Sequence, residues 1–109
     1  MKMTDCPFTP IDWSKVEPEL HKGEQGNATW RTEHCGPLRV RVVDYSPGYI
    51  ADHWCHKGHV LFVMEGELVT TLSDGREFVL HAGEGYLVAD DVAPHKSATP
   101  TGAKLFIVD

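Results

Sequence analysis

The chain has no long apolar run, little basic charge, no closely spaced cysteine pair and almost no helical periodicity, and each shortage closes a class of function. Its longest apolar run, Val60-Leu-Phe-Val-Met64, falls far short of the roughly 20 residues that a bilayer-spanning helix requires. Met1-Lys-Met-Thr-Asp5 leads directly into Cys6-Pro7 without an apolar segment, so no secretory signal is read there. Lys and Arg number 10 against 16 acidic residues, a formal charge of −6. With no basic stripe, nucleic acid and anionic membrane surfaces are poor partners. Cys6, Cys35 and Cys55 are odd in number and widely spaced. That spacing argues against a disulfide framework or a zinc ribbon, and for inert thiols at Cys6 and Cys35 in a reducing, cytoplasmic setting. No P-loop, dinucleotide fingerprint or Ser-His-Asp order is present.

What the 109 residues do contain is turn and strand text, enough for one domain. Ten glycines and seven prolines punctuate the chain. Residues 1–27, with Pro7, Pro10 and Pro18, read as an arm lying along the body, with one helical turn near Asp12–Val16. Residues 28–109 read as a single β domain. Strands are expected at Ala28–His34, Leu38–Tyr45, Tyr49–Cys55, His59–Glu65, Glu67–Ser73, Arg76–His81, Tyr86–Ala89 and Ala103–Val108. In the second of these, Leu38, Val40 and Val42 share one face and Arg39 and Arg41 the other. Asp74-Gly75 is a hairpin signal of the type I′ kind. Short strands at this spacing imply an all-β sandwich or barrel. Val60–Met64 is apolar on both faces and must be covered twice, by a second sheet, the arm or another subunit; a homodimer is the favoured expectation.

Four histidines, His53, His56, His59 and His95, gather around Cys55. On an extended strand His53 and Cys55 point the same way while Trp54 and His56 point away. Lys57-Gly58 reverses the chain, so His59 opens the returning strand opposite Cys55. His95 follows the polar turn Asp90-Asp-Val-Ala-Pro94, which can deliver it from a distant strand. Imidazole and thiolate are transition-metal ligands. The spacing therefore marks His53, Cys55, His59 and His95 as a candidate metal set, whereas His21, His34 and His81 read as surface or hydrogen-bonded residues. Asp90 and Asp91 are candidates to hold a ligand imidazole. Asp52 points away from His53 on an extended strand, Glu65 and Glu67 read as solvated, Trp54 and Phe62 as core or interface residues, and Tyr49 and Tyr86 as candidates for a barrel mouth.

These residues resemble a cupin. The family's first motif runs G-x5-H-x-H-x3,4-E-x6-G. From His53 onward its spacing is kept through Cys55, His59 and Gly66, with Cys55 in place of the second His, His59 in place of Glu, and the Gly48–His53 gap one residue short. Val63-Met-Glu-Gly-Glu67 is similar to the text that follows this motif. Of the second motif, G-x5-P-x-G-x2-H-x3-N, Ala82-Gly83-Glu84 and Pro94-His95 are recognisable; the internal P-x-G is absent and Thr99 replaces Asn. Asp52-His-Trp-Cys55 is similar to the D-H-C-W signature of a group of small cupins, with the last two residues exchanged. The resemblance covers about residues 47–109.

The resemblance implies a double-stranded β-helix (jelly-roll) barrel, often dimeric, with a divalent metal near one open end. Carried over by position, the ligands are His53, Cys55, His59 and His95, with His56 as the alternate should the strand end rotate inward. A thiolate with imidazoles favours zinc, then nickel, copper or iron, over magnesium, calcium or manganese. Three functions follow as expectations. The first is a metal-binding cupin with a small-molecule pocket. The second is a metal-dependent oxygenase, isomerase or hydrolase of a small acidic or sugar-derived substrate. The third is an unmetallated barrel whose role is association.

Overall fold

Alternating apolar and polar residues between glycine- and proline-marked turns fold, in a computed structural model that describes residues 2–109, into nine antiparallel strands. They are β1 (Pro18–Lys22), β2 (Asn27–Cys35), β3 (Leu38–Tyr45), β4 (Tyr49–Ile50), β5 (His59–Leu72), β6 (Glu77–His81), β7 (Gly85–Val88), β8 (His95–Thr99) and β9 (Ala103–Val108). The neighbour order is β1-β2-β3-β9-β5-β8-β4, with β6 and β7 also paired to β5. The architecture is all-β, a curled antiparallel sheet closing toward a jelly-roll barrel.

Strand β5 organises the barrel. Its first half, His59–Phe62, pairs with β7 while Val60–Gly66 runs beside β9; its second half, Glu67–Leu72, pairs with β6 and β8. A register shift between Val63 and Glu65 and a left-handed Gly66 (φ 83°) carry the strand from one sheet to the other. The break expected at Gly66 is therefore a bend within one strand. Inward-facing Leu61, Val63, Leu68, Val43, Leu105 and Ile107 build the core.

Several expectations are corrected. On β3 the inward face is Arg39, Arg41, Val43 and Tyr45, the opposite of the simple apolar-in reading. The outer face is covered instead by the arm, where Trp13 meets Phe106 edge-on at 6.3 Å; Phe106 is the β9 partner of the buried Val42. The arm keeps its single helical turn, Trp13–Lys15, capped by the Asp12 carboxylate, which accepts from Ser14 N. Pro18–Lys22, however, is an edge strand on β2. Cys6 and Cys35 are joined in a disulfide that ties the arm to the end of β2, so they are not inert thiols and the thiol argument for a reducing compartment lapses. At the β5–β6 hairpin only Gly75 takes positive φ (95°), so the turn is not type I′; the Asp74 carboxylate accepts from Arg76 N instead. Trp54 and Phe62 are exposed in the single chain, which removes only the core half of the expectation that they are core or interface residues. The outer face of β5, Val60, Phe62 and Met64, is exposed in the single chain. Among the described residues, no helix is long and apolar enough to cross a membrane.

Gly66 and Gly75 separate strain from crowding. Both are left-handed, but a Cβ at Gly66 would run into the Gly102 carbonyl oxygen, whereas nothing lies within 4 Å of one at Gly75. Gly75→Ala is expected to cost about 1–3 kcal/mol from backbone strain alone, and Gly66→Ala more, since β9 must also shift. Urea denaturation of the two variants checks the order.

Candidate metal centre

Three elements converge on the site. The extended chain before β5 meets β8 at an isolated bridge: Cys55 N donates to His95 O at 2.8 Å, and His95 N to Cys55 O at 3.0 Å. This pairing sets the thiol beside the imidazole. His59 opens β5 on the inward face, next to Leu61 and Val63. The donor atoms of Cys55, His59 and His95 all lie within 4.8 Å of one another.

Each imidazole is held by one nitrogen and offers the other. His95 Nδ1 sits 2.9 Å from the Ala93 carbonyl, which can only accept, so Nδ1 carries the proton. Its Nε2 is buried and without a hydrogen-bond partner among the described residues, in a side chain only 2% exposed. Leaving such an atom unmet costs about 1–3 kcal/mol, which a bound cation would offset. His59 Nδ1 donates to Asp109 Oδ2 at 3.1 Å, and its Nε2 faces Cys55 Sγ at 3.5 Å.

Asp109 is the residue the sequence reading missed. Register brings it in: Val108 pairs with both Val40 of β3 and Val60 of β5, so the next residue falls between Arg39 and His59. Its buried carboxylate accepts from Arg39 Nε at 2.8 Å and from an Arg41 guanidinium nitrogen at 2.9 Å. The signal available was period two: Ala103, Leu105 and Ile107 face inward, and Asp109 continues the series.

Burial opposes the charged form of Asp109, but His59 and Arg39, followed by the charge of Arg41, overcome it and hold its carboxyl well below the usual range. Burial likewise opposes the charged His59, yet Asp109 and Cys55 outweigh it and raise its pKa. Cys55 is pushed down to about 5, first by its hydrogen bond with His59. Without metal, then, both shifts favour a Cys55 thiolate facing His59 Nε2.

The remaining expected residues lie apart. His53 does not join the cluster, because the chain bends at Asp52-His53 and is not extended; its Nδ1 pairs with the Asp52 carboxylate at 2.6 Å and its ring stands in solvent at the cavity rim. The expectation that Asp52 points away from it fails for the same reason. His56 is exposed and contributes its backbone carbonyl to Asp91 N. Asp90 accepts from Gly58 N at 2.7 Å, steadying the turn before His59 without touching a ligand ring. Tyr49 and Tyr86 line the interior cavity of about 120 Å³ onto which Cys55, His59 and His95 open.

No protein-family model matches the sequence, and no curated protein matches it. Solved structures do match the fold. The polyketide cyclase RemF from Streptomyces resistomycificus is 20% identical, with 94% of this chain and 78% of that chain covered at TM-score 0.77. An RmlC-like cupin from Shewanella frigidimarina is 21% identical, with 96% and 92% covered at TM-score 0.73. A predicted oxalate decarboxylase from Thermotoga maritima is 15% identical, with 92% and 96% covered at TM-score 0.77. The chain has the cupin fold.

The thiolate gives a direct readout. In metal-free protein Cys55 is the free cysteine among the described residues. Its alkylation by iodoacetamide is expected to be half-maximal near pH 5, against about 8.5 for an ordinary thiol. Its depressed pKa contributes stability that is complete above the unfolded value and is lost as pH falls through about 5. His59→Ala should move the alkylation midpoint upward; a midpoint near the ordinary thiol value in the wild type would contradict the pair.

Proposed function

We propose that this protein binds a divalent transition metal through Cys55 Sγ, His59 Nε2 and His95 Nε2, and presents it to a small molecule inside the barrel. The observation that carries this reading is the convergence of three donors within 4.8 Å, one of them a buried imidazole nitrogen with no partner in the described chain. The donor set fits a metal: two imidazoles are oriented by Ala93 and Asp109 through their other nitrogens, as ligand histidines usually are. One thiolate and two imidazoles favour zinc, then nickel, copper or iron, over the oxygen-seeking magnesium and calcium. His53 and His56 drop out of the set on their positions.

Three protein ligands leave a coordination position free, which distinguishes this arrangement from a closed structural zinc site. When bound, such a metal polarises a substrate oxygen or lowers the pKa of a bound water. The chain's own contribution is to fix the imidazoles, keep Cys55 ionised and wall the donors with Tyr49 and Tyr86. Two of the similar solved structures are named as enzymes, a cyclase and a predicted decarboxylase, which supports a reacting molecule for this fold.

Zinc titration of dialysed protein against a chromophoric chelator tests the reading. One zinc per chain is expected, weakening in acid as Cys55 and the imidazoles protonate. Cys55→Ser, His59→Ala and His95→Ala should each lower affinity by more than the roughly 10–100-fold that loss of an outer partner such as Asp109 costs. His53→Ala and His56→Ala should leave it unchanged. Absence of zinc binding, or indifference to the three ligand variants, would return the protein to an association role.

The exposed apolar row Val60, Phe62 and Met64 supports a homodimer as part of the same reading. Sedimentation of the wild type is expected to give a dimer and Phe62→Glu a monomer. A monomeric wild type would contradict it.

A further inference from the structure

Behind His95 lies a second cavity, of about 340 Å³. Thr70 and Leu72 of β5, Leu80 of β6 and Tyr86 of β7 wall it, and Tyr86 and His95 form the partition it shares with the metal-centre cavity. Its volume falls in the range of small-molecule pockets, about 300–1,000 Å³. No Lys, Arg, Asp or Glu among the described residues lines it. Of the cations on the metal-centre cavity, Arg39 and Arg41 are engaged by Asp109, and Lys96 pairs with Glu24 at 3.6 Å. The mouth is apolar too, with Phe78, Leu87 and Val92 exposed around it.

Three polar side chains, Thr70, Tyr86 and His95, stand in this otherwise apolar lining. Thr70 Oγ1 and His95 Nε2 are both buried without a hydrogen-bond partner among the described residues, each in a side chain only 2% exposed. They belong to neighbouring strands: Leu72 pairs with His95, and Thr70 lies two residues before Leu72 on the same face. A buried hydroxyl unmet by its own chain in an otherwise apolar cavity is the kind of group that orients a ligand.

We infer that this cavity takes a neutral, largely hydrophobic small molecule, aromatic or alicyclic, whose hydroxyl or carbonyl meets Thr70 Oγ1 and is thereby directed toward the donors at His95. The inference rests on the metal-site reading for what the polar end faces. It rests on the cavity alone for the class of molecule. In metal-free protein a carboxylate or phosphate seated against this lining would be buried with no side-chain cation to meet it, so sugar phosphates and dicarboxylates are poor occupants of the apolar wall itself. The inference thus departs from the small acidic or sugar-derived substrate expected from the sequence.

The test compares 1-naphthol with 1-naphthyl phosphate by calorimetric titration of metal-free protein, where no cation can hold the phosphate, and repeats naphthol alone on the zinc-loaded form. Naphthol is expected to bind both forms, and the phosphate about tenfold more weakly or worse. Thr70→Val keeps the shape and removes the hydroxyl, and should weaken naphthol about threefold to tenfold. Val92→Asp, at a rim position 70% exposed and so harmless to folding, should weaken it by about tenfold. Zinc uptake should be unchanged in both variants. Failure of naphthol to bind, equal or tighter binding of the phosphate, or naphthol affinity indifferent to both substitutions would overturn the inference. Naphthol binding that survives in a protein unable to take up zinc would remove the metal reading and leave the hydrophobic pocket standing.

Discussion

The candidate site depends on one buried carboxylate. Asp109 receives His59 Nδ1 on one side and the guanidinium groups of Arg39 and Arg41 on the other. A carboxylate removed from water is costly unless it is paired and hydrogen-bonded, and here two cations and an imidazole share it. Because the His59 proton is claimed at Nδ1, Nε2 is the nitrogen left to face Cys55. The same interaction joins β3, β5 and β9 at one end of the barrel, so the geometry of the metal donors and the closure of the sheet are a single problem of register.

The sequence announces the sheet more plainly than the site. Leu38–Tyr45 and Ala103–Val108 alternate with period two and are strands over those same residues. Pro18–Lys22 does not announce itself, since an edge strand needs no buried face and four of its five residues are exposed. His95–Thr99 hides for a different reason: its inward side chains are polar, and Thr99 spends its hydroxyl donating to the Glu67 carbonyl and accepting from Gly102 N. Apolar periodicity cannot find a strand whose inner face is built from hydrogen-bonding groups.

Within the site, Cys55, His59 and His95 are readable because ligand type and spacing survive in one dimension. His53 is misread because period two applies only to extended chain, and the bend at Asp52-His53 breaks it. Asp109 is unread because its partners lie 50 and 70 residues away along the chain. The pairing of Cys6 with Cys35, across a separation of 29 residues, is of the same long-range kind. An odd cysteine count argued for three free thiols, whereas the third is left free by the folding of the other two.

The partition at His95 and Tyr86 sets what the barrel can do chemically. On one side are a thiolate, an imidazole and an arginine-bound carboxylate; on the other is a wall of Leu, Val, Ala and Phe broken by Thr70 and by the Tyr86–His95 partition. Burial pushes the Tyr86 hydroxyl above its usual pKa, so the tyrosine of the partition stays neutral across the physiological range. A hydrophobic molecule seated against this wall leaves water behind, and the electrostatic interactions at the donors strengthen as solvent is excluded. In the proposed function the apolar chamber selects the molecule and lowers the local dielectric, while the polar chamber supplies the charge that meets it.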